Sequence, residues 1–166
     1  MVLRAEGFPA SAADLVDTYL PTDPTWEDYV DRFAGDPRGQ GGAMPPAMMA
    51  CTRSFLAANG DMLAGASGSA RPVDLTGAGF DEVRGYVERG YPVMTWVTLD
   101  LTAPRFTGRE VRGYRWYRNL HCVVLHGFDG GDAIVADPIA GPVRHDASGF
   151  REVFEACGAM AMTVLP

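Results

Sequence analysis

Paired cysteines are missing from this chain. Its three, Cys51, Cys122 and Cys157, include no CxxC spacing, which excludes a zinc ribbon and a thioredoxin motif. A disulfide framework is not expected in a chain of 166 residues, because such frameworks serve domains too small to build a core. Long apolar runs are missing as well, and none approaches the length of a membrane span. The N-terminus MVLRAEGF has no basic segment followed by an apolar stretch, so it is no signal peptide. As written, the chain reads as soluble and unexported. Positive charge is scarce: 14 Lys and Arg stand against 21 Asp and Glu, a formal charge of −7. That balance opposes nucleic-acid binding, whose affinity comes from neutralising phosphates. No GxSxG and no internal repeat occur.

What is present is the material of one folded domain spanning residues 1–166, with 47% apolar and 21% charged residues. The first half reads as helical. Ser11 caps SAADLVDTYL, with Asp14 as the capping-box acid, and Pro21 ends that helix. TWEDYVDRFA reads as a second, short helix, and GDPRGQGGAMPP as a loop. Pro45 and Pro46 suit the first turn of a further helix, because proline lacks only an N–H that is unbonded there. Met48, Cys51 and Phe55 give that helix one buried face, and Asn59-Gly60 stops it. GSARPVDLTG is a connector with room for a short strand, and Phe80, Val83 and Val87 mark another amphipathic helix. Strands follow in PVMTWVTLD, a hairpin or long loop in FTGREVRGYRWY, and two short strands around Gly130-Gly131. SGFREVFEACG closes as a helix capped by Ser148 or Asp146, and AMAMTVLP as a strand. Helices first and antiparallel strands second indicate an α+β domain.

HCVVLHGFDGGDAIVADP, residues 121–138, is the stretch in which chemistry is legible. His121 stands at a strand start, and imidazole titrates near neutrality, as a general base must. Asp137 is the candidate carboxylate to fix its tautomer. Strand parity supplies a test. A two-residue turn at Gly130-Gly131 sets Asp137 opposite Val124, on the face away from His121. A three-residue connection, 129 to 131, sets it opposite Val123 and diagonal to His121 on one face. A structural histidine followed by an Asp-Pro strand terminator is the competing explanation. His126, five residues from His121, falls on the opposite face by alternation. A metal site from His121, His126, Asp129 and Asp132 is opposed by the same alternation.

No nucleophile accompanies the pair. Cys122 points away from His121 along the strand, Cys51 lies on a helix face with Met48 and Phe55, and Cys157 ends a helix beside Gly158. All three read as core. The arginines of APRFTGREVRGYRWYRNL, interleaved with aromatics, fit a twisted hairpin better than a nucleic-acid surface. Neither a cofactor nor a metal is expected.

In order and spacing, these segments resemble the papain-like cysteine peptidases of the bacteriocin-processing type, peptidase family C-thirty-nine. DEVRGYVERGYPVMTWVTLD is similar to that family's helix and core strand, and LHCVVLHGFDGGDAIVADPIAG to its histidine and Asp-Pro signature. MVLRAEGFPASAADLVDTYLP, GDPRGQGGAMPPAMMAC and SGFREVFEACGAMAM resemble its other helices and closing strand. The resemblance implies a papain-like fold, hydrolysis of peptide or amide bonds by thiol acyl transfer, and a peptide or protein as partner. His121 becomes the general base and Asp137 its orienting acid. The family's nucleophilic cysteine opens its first long helix, where the helix N-terminus lowers the thiol pKa, and an upstream glutamine donates to the oxyanion. On this resemblance both fall before Met1, the chain begins inside that helix, and the domain is inactive as given. The alternative is a noncatalytic peptide-binding or interaction module on the same fold.

Overall fold

The computed structural model describes residues 11–20, 43–59, 70–111 and 114–166. The expected helix TWEDYVDRFA and residues 35–42 of the expected loop GDPRGQGGAMPP lie outside them. Two compact units divide the chain: residues 75–163 with Met1–Val2, and residues 3–74 with the C-terminal Val164–Pro166.

Among the described residues, the unit of residues 3–74 is helical apart from one strand. Ser11 accepts the Asp14 N–H at 3.0 Å, and its hydroxyl donates to the Asp14 carboxylate. This reciprocal cap starts a short helical turn, Ala12–Asp14, that runs on as a π-helical turn, Leu15–Tyr19. Helix α1, Pro45–Asn59, opens on the two prolines, as their lack of a needed N–H favours. Leu20, Ala47 and Cys51 form a buried cluster with Leu15, Val16, Tyr19 and Met48 packed on it. The Tyr19 and Phe55 rings meet edge to face at 5.3 Å. Strand β1, Arg71–Asp74, lies against α1.

The unit of residues 75–163 is an antiparallel sheet with two helices. Helix α2, Phe80–Glu88, buries Phe80, Val83 and Val87, the spacing of one helix face. It ends where Gly90 takes φ +88°, with the Tyr91 N–H returning to Tyr86 O at 3.1 Å. That left-handed closure is one glycine adopts without a Cβ clash. Strand β2, Val93–Thr98, is followed by a short 3-10 turn, Leu99–Leu101. Strands β3, Phe106–Val111, and β4, Tyr114–Tyr117, form a separate two-stranded ribbon. Then come β5, Leu120–Asp129, β6, Asp132–Asp137, and β7, Gly141–Asp146. Helix α3, Ala147–Ala156, is capped by Asp146, whose side chain accepts the Gly149 N–H. Of the two expected caps it is therefore the aspartate, not Ser148. Strand β8, Ala161–Leu165, ends the fold.

Within this unit the strand order is β8-β2-β5-β6-β7, each described pairing antiparallel. Phe80 gathers Phe128, Phe150 and Phe154 with ring centroids about 6 Å apart. Each such aromatic contact adds about 0.5–1.5 kcal/mol beyond the area it buries. The cluster clamps α2 and α3 to the sheet. The result is the expected α+β architecture, and β7 is an addition to it. GPVRHD gave no strand signal because Pro142 and three polar residues interrupt any apolar alternation.

Candidate active site

His121 enters β5 directly opposite Val97 of β2, in the middle of the sheet. Asp137 is the last residue of β6. The structure brings the two together: His121 Nε2 lies 2.8 Å from Asp137 Oδ2, with the side chains only 11% and 14% exposed.

The route to this contact differs from the expected one. The turn is two residues, with Asp129 paired to Asp132 across Gly130-Gly131, whose φ angles are +59° and +101°. Both glycines sit in the left-handed region that a tight hairpin turn requires. By parity alone this turn places Asp137 on the wrong face. The correction is a β-bulge. Gly127 pairs with Ile134, yet Leu125 pairs with Val135, so His126 is an extra residue without a partner in the ladder. A bulge advances one strand by one residue. From Leu125 on, the register carries Asp137 to Val123, on the face of His121. The three-residue connection expected from parity is thus absent, and His126 does its work instead. His126 itself is exposed and outside the pair.

Asp137 holds more than the histidine. Its Oδ1 accepts the N–H groups of Ile139 at 2.6 Å and Ala140 at 3.0 Å, closing the turn into β7. Burial acts to raise the Asp137 carboxyl, but those two N–H groups and the His121 ring outweigh it and hold the carboxyl below its ordinary value. An ionised carboxylate only accepts hydrogen bonds, so the proton between the two residues resides on Nε2. In the neutral ring Nδ1 then keeps its lone pair and can accept a proton from a donor on its side.

One residue that sequence reasoning missed prepares the entry of β5. Asn119 is buried, its Oδ1 accepting the Arg105 N–H and its Nδ2 donating to Thr102 Oγ1 and Ala103 O. Its own carbonyl accepts the Leu99 N–H at 2.9 Å. These bonds hold the turn after β2, where Asp100 and Leu101 carry φ +53° and +51°. Such conformations cost energy and persist where surroundings enforce them. An amide two residues before a strand-opening histidine was the only available signal.

The cysteines behave as packing residues. Burial pushes the Cys51 thiol up to about 11, Cys122 up to about 12 and Cys157 up to about 11. Cys122 pairs with Trp96 of β2, one residue out of phase with His121. Cys51 Sγ lies 3.9 Å from Leu15 O within its own helical cluster. The first long helix among the described residues, α1, opens on Ala43-Met44-Pro45-Pro46 and carries its only thiol, Cys51, in its second turn. Asp129 and Asp132 contact Arg144 rather than a histidine. Among the described residues no helix is long and apolar enough to cross a membrane.

N-terminal helices in sequence, followed by an antiparallel sheet that seats a histidine against an aspartate, are the elements of a papain-like α+β fold. Comparison with known proteins narrows the class. The model of the Peptidase_C39 like family matches residues 1–162, and the chain belongs to that family. The crystal structure of a candidate C39-like peptidase from Bacillus anthracis matches 99% of this chain and 84% of its own, with a TM-score of 0.73. At 18% identity that likeness speaks to the fold. A search of the curated proteins returned no match.

Proposed function

We propose that this chain is a cysteine peptidase-like domain in which His121 is the general base and Asp137 the group that orients it. We propose further that the 166 residues do not hydrolyse peptides by themselves. The observation carrying the first part is the 2.8 Å contact between Nε2 and Oδ2 in a nearly buried setting. In thiol acyl transfer, a thiol gives its proton to the imidazole and its sulfur attacks the peptide carbonyl carbon. The leaving amine then takes that proton back, and water releases the acyl group through the same base. Asp137 stabilises the imidazolium in both halves, and Nδ1 is the nitrogen that receives the thiol proton.

The second part rests on the thiols. A group with a pKa of about 11 is ionised in roughly one molecule in ten thousand at pH 7, and Cys122 is lower still. Desolvation alone acts on each of the three, with no cation among the described residues beside the sulfur to favour the thiolate as at a reactive cysteine. The same observation favours a second reading, a noncatalytic module that holds a peptide beside His121 without cleaving it. Incubating the purified chain with a mixed peptide pool and following masses tests the proposal. The expected outcome is an intact pool. Cleavage that disappears in His121→Ala overturns the inactivity while upholding the base; cleavage unchanged in that variant overturns both.

A further inference from the structure

The ribbon β3–β4 leads into β5 through Arg118 and Asn119, and at its base two arginines oppose each other. The Arg118 N–H donates to Arg105 O at 2.9 Å, one step beyond the Phe106–Tyr117 pair. Directly opposed residues of an antiparallel ribbon project on one face, and like charges placed so destabilise it. Both arginines are exposed. The Tyr117 ring takes the other face, buried, with its hydroxyl donating to Ala156 O at 3.1 Å. The arginines therefore project to the solvent side.

Among the described residues their guanidinium groups are unpartnered, unlike those of the other described arginines of residues 75–163. Among the described side chains of residues 75–163, Arg84 pairs with Glu88, Arg115 with Glu110, Arg144 with Asp129 and Asp132, and Arg151 with Glu155. Arg89 stacks on the Tyr86 ring at 4.6 Å. Within that set Arg105 and Arg118 have neither a carboxylate nor a ring partner, in a chain with a surplus of acid. Asn119, fixed by its bonds to Arg105 N–H and the 102–103 backbone, holds the base of the ribbon rigid. Preorganised donors bind with less ordering cost. Arg118 is three residues from His121, so the chain spans at most about 11 Å between them.

We infer that Arg105 and Arg118 form a carboxylate clamp that selects acidic peptides at the His121–Asp137 site. The inference rests on the reading of that pair as the place where a peptide bond lies. Two guanidinium groups present paired N–H donors to one carboxylate and remove their mutual repulsion when it binds. An Asp or Glu side chain, or a peptide C-terminus, a few residues from the bond facing His121 supplies the anion.

Three short capped peptides distinguish the sources: one with an internal Glu and an amidated end, one with Gln in its place, and one with Gln and a free C-terminal carboxylate. Each is titrated into isotopically labelled full chain while the Nε–H signals of both arginines and the ring signals of His121 are followed. One or both carboxylate peptides bind about tenfold more tightly than the neutral one, the scale of one charge-assisted hydrogen bond. The arginine and His121 signals shift together, and the peptide that gains identifies the source. R105Q/R118Q abolishes the preference, with a melting temperature equal to the parent's or higher because two like charges have been removed from opposed positions. Equal binding of all three peptides with shifts at His121 alone overturns the clamp and leaves the peptide site standing. Shifts at the arginines without His121 overturn the clamp's assignment to that site and count against the site itself. Failure of every peptide to bind overturns both.

Discussion

The two ends of the β5–β6 hairpin carry similar contacts in opposite surroundings. At the tip, Arg144 reaches Asp129 and Asp132, with side chains 55%, 69% and 43% exposed. At the base, His121 meets Asp137 with both largely buried. Water and salt screen the tip, where such a pair contributes little to stability. The base is dry enough for a hydrogen bond to set a tautomer and move a carboxyl pKa. Between the ends lies the bulge at His126, which converts a tight turn with one parity into a base with the other. One inserted residue separates an ordinary hairpin from one that brings His121 and Asp137 into contact.

Removing His126 is the most severe way to break that difference. The tight turn then sets the register throughout, and Asp137 moves to the face away from His121, as any one-residue slip requires. The expected cost is about 4 kcal/mol or more, since buried and exposed positions exchange along one arm of the hairpin. Urea unfolding and loss of the His121–Asp137 contact by NMR measure it.

Changing Asp137 separates its two duties. Asp137→Ala removes the histidine's partner and frees two N–H groups, and costs about 1–3 kcal/mol by denaturant unfolding. Asp137→Asn keeps an acceptor for the turn and costs less. The folded protein holds this carboxyl below its ordinary value. Its charge therefore stabilises the fold fully above about pH 4, the unfolded value. That contribution is lost as pH falls through the lower folded pKa. The stability gap between the parent and Asp137→Asn, wide at pH 7, accordingly closes in acid.

At the tip the effect is smallest. Arg144→Ala changes stability by about 0–1 kcal/mol, and raising the salt concentration erases the difference. An effect as large as that of Asp137→Ala removes the contrast between the two ends.

Much of the fold was legible because its elements follow local rules. Pro45-Pro46 opened α1, Phe80, Val83 and Val87 formed one buried face, and β5 and β6 flanked the two glycines. The site residues were legible by type, since a histidine at a strand start and an Asp-Pro at a strand end are local features. Their meeting was not. It depends on a bulge at His126, and no local propensity distinguishes that residue from a paired one. Strand β7 escaped because an edge strand with a proline and polar residues shows no apolar alternation. Asn119 escaped because its partners at 102, 103 and 105 are adjacent only once the chain has turned.

The most direct test of the pair is the tautomer of His121, read from two-bond nitrogen–proton correlations of the imidazole ring near neutral pH. In the neutral ring the account predicts a proton held on Nε2 and a bare Nδ1 in the parent, with that preference weakened toward the balance of a free imidazole in Asp137→Ala. A proton on Nδ1, or a ring indifferent to the loss of Asp137, contradicts the assignment of base and orienter.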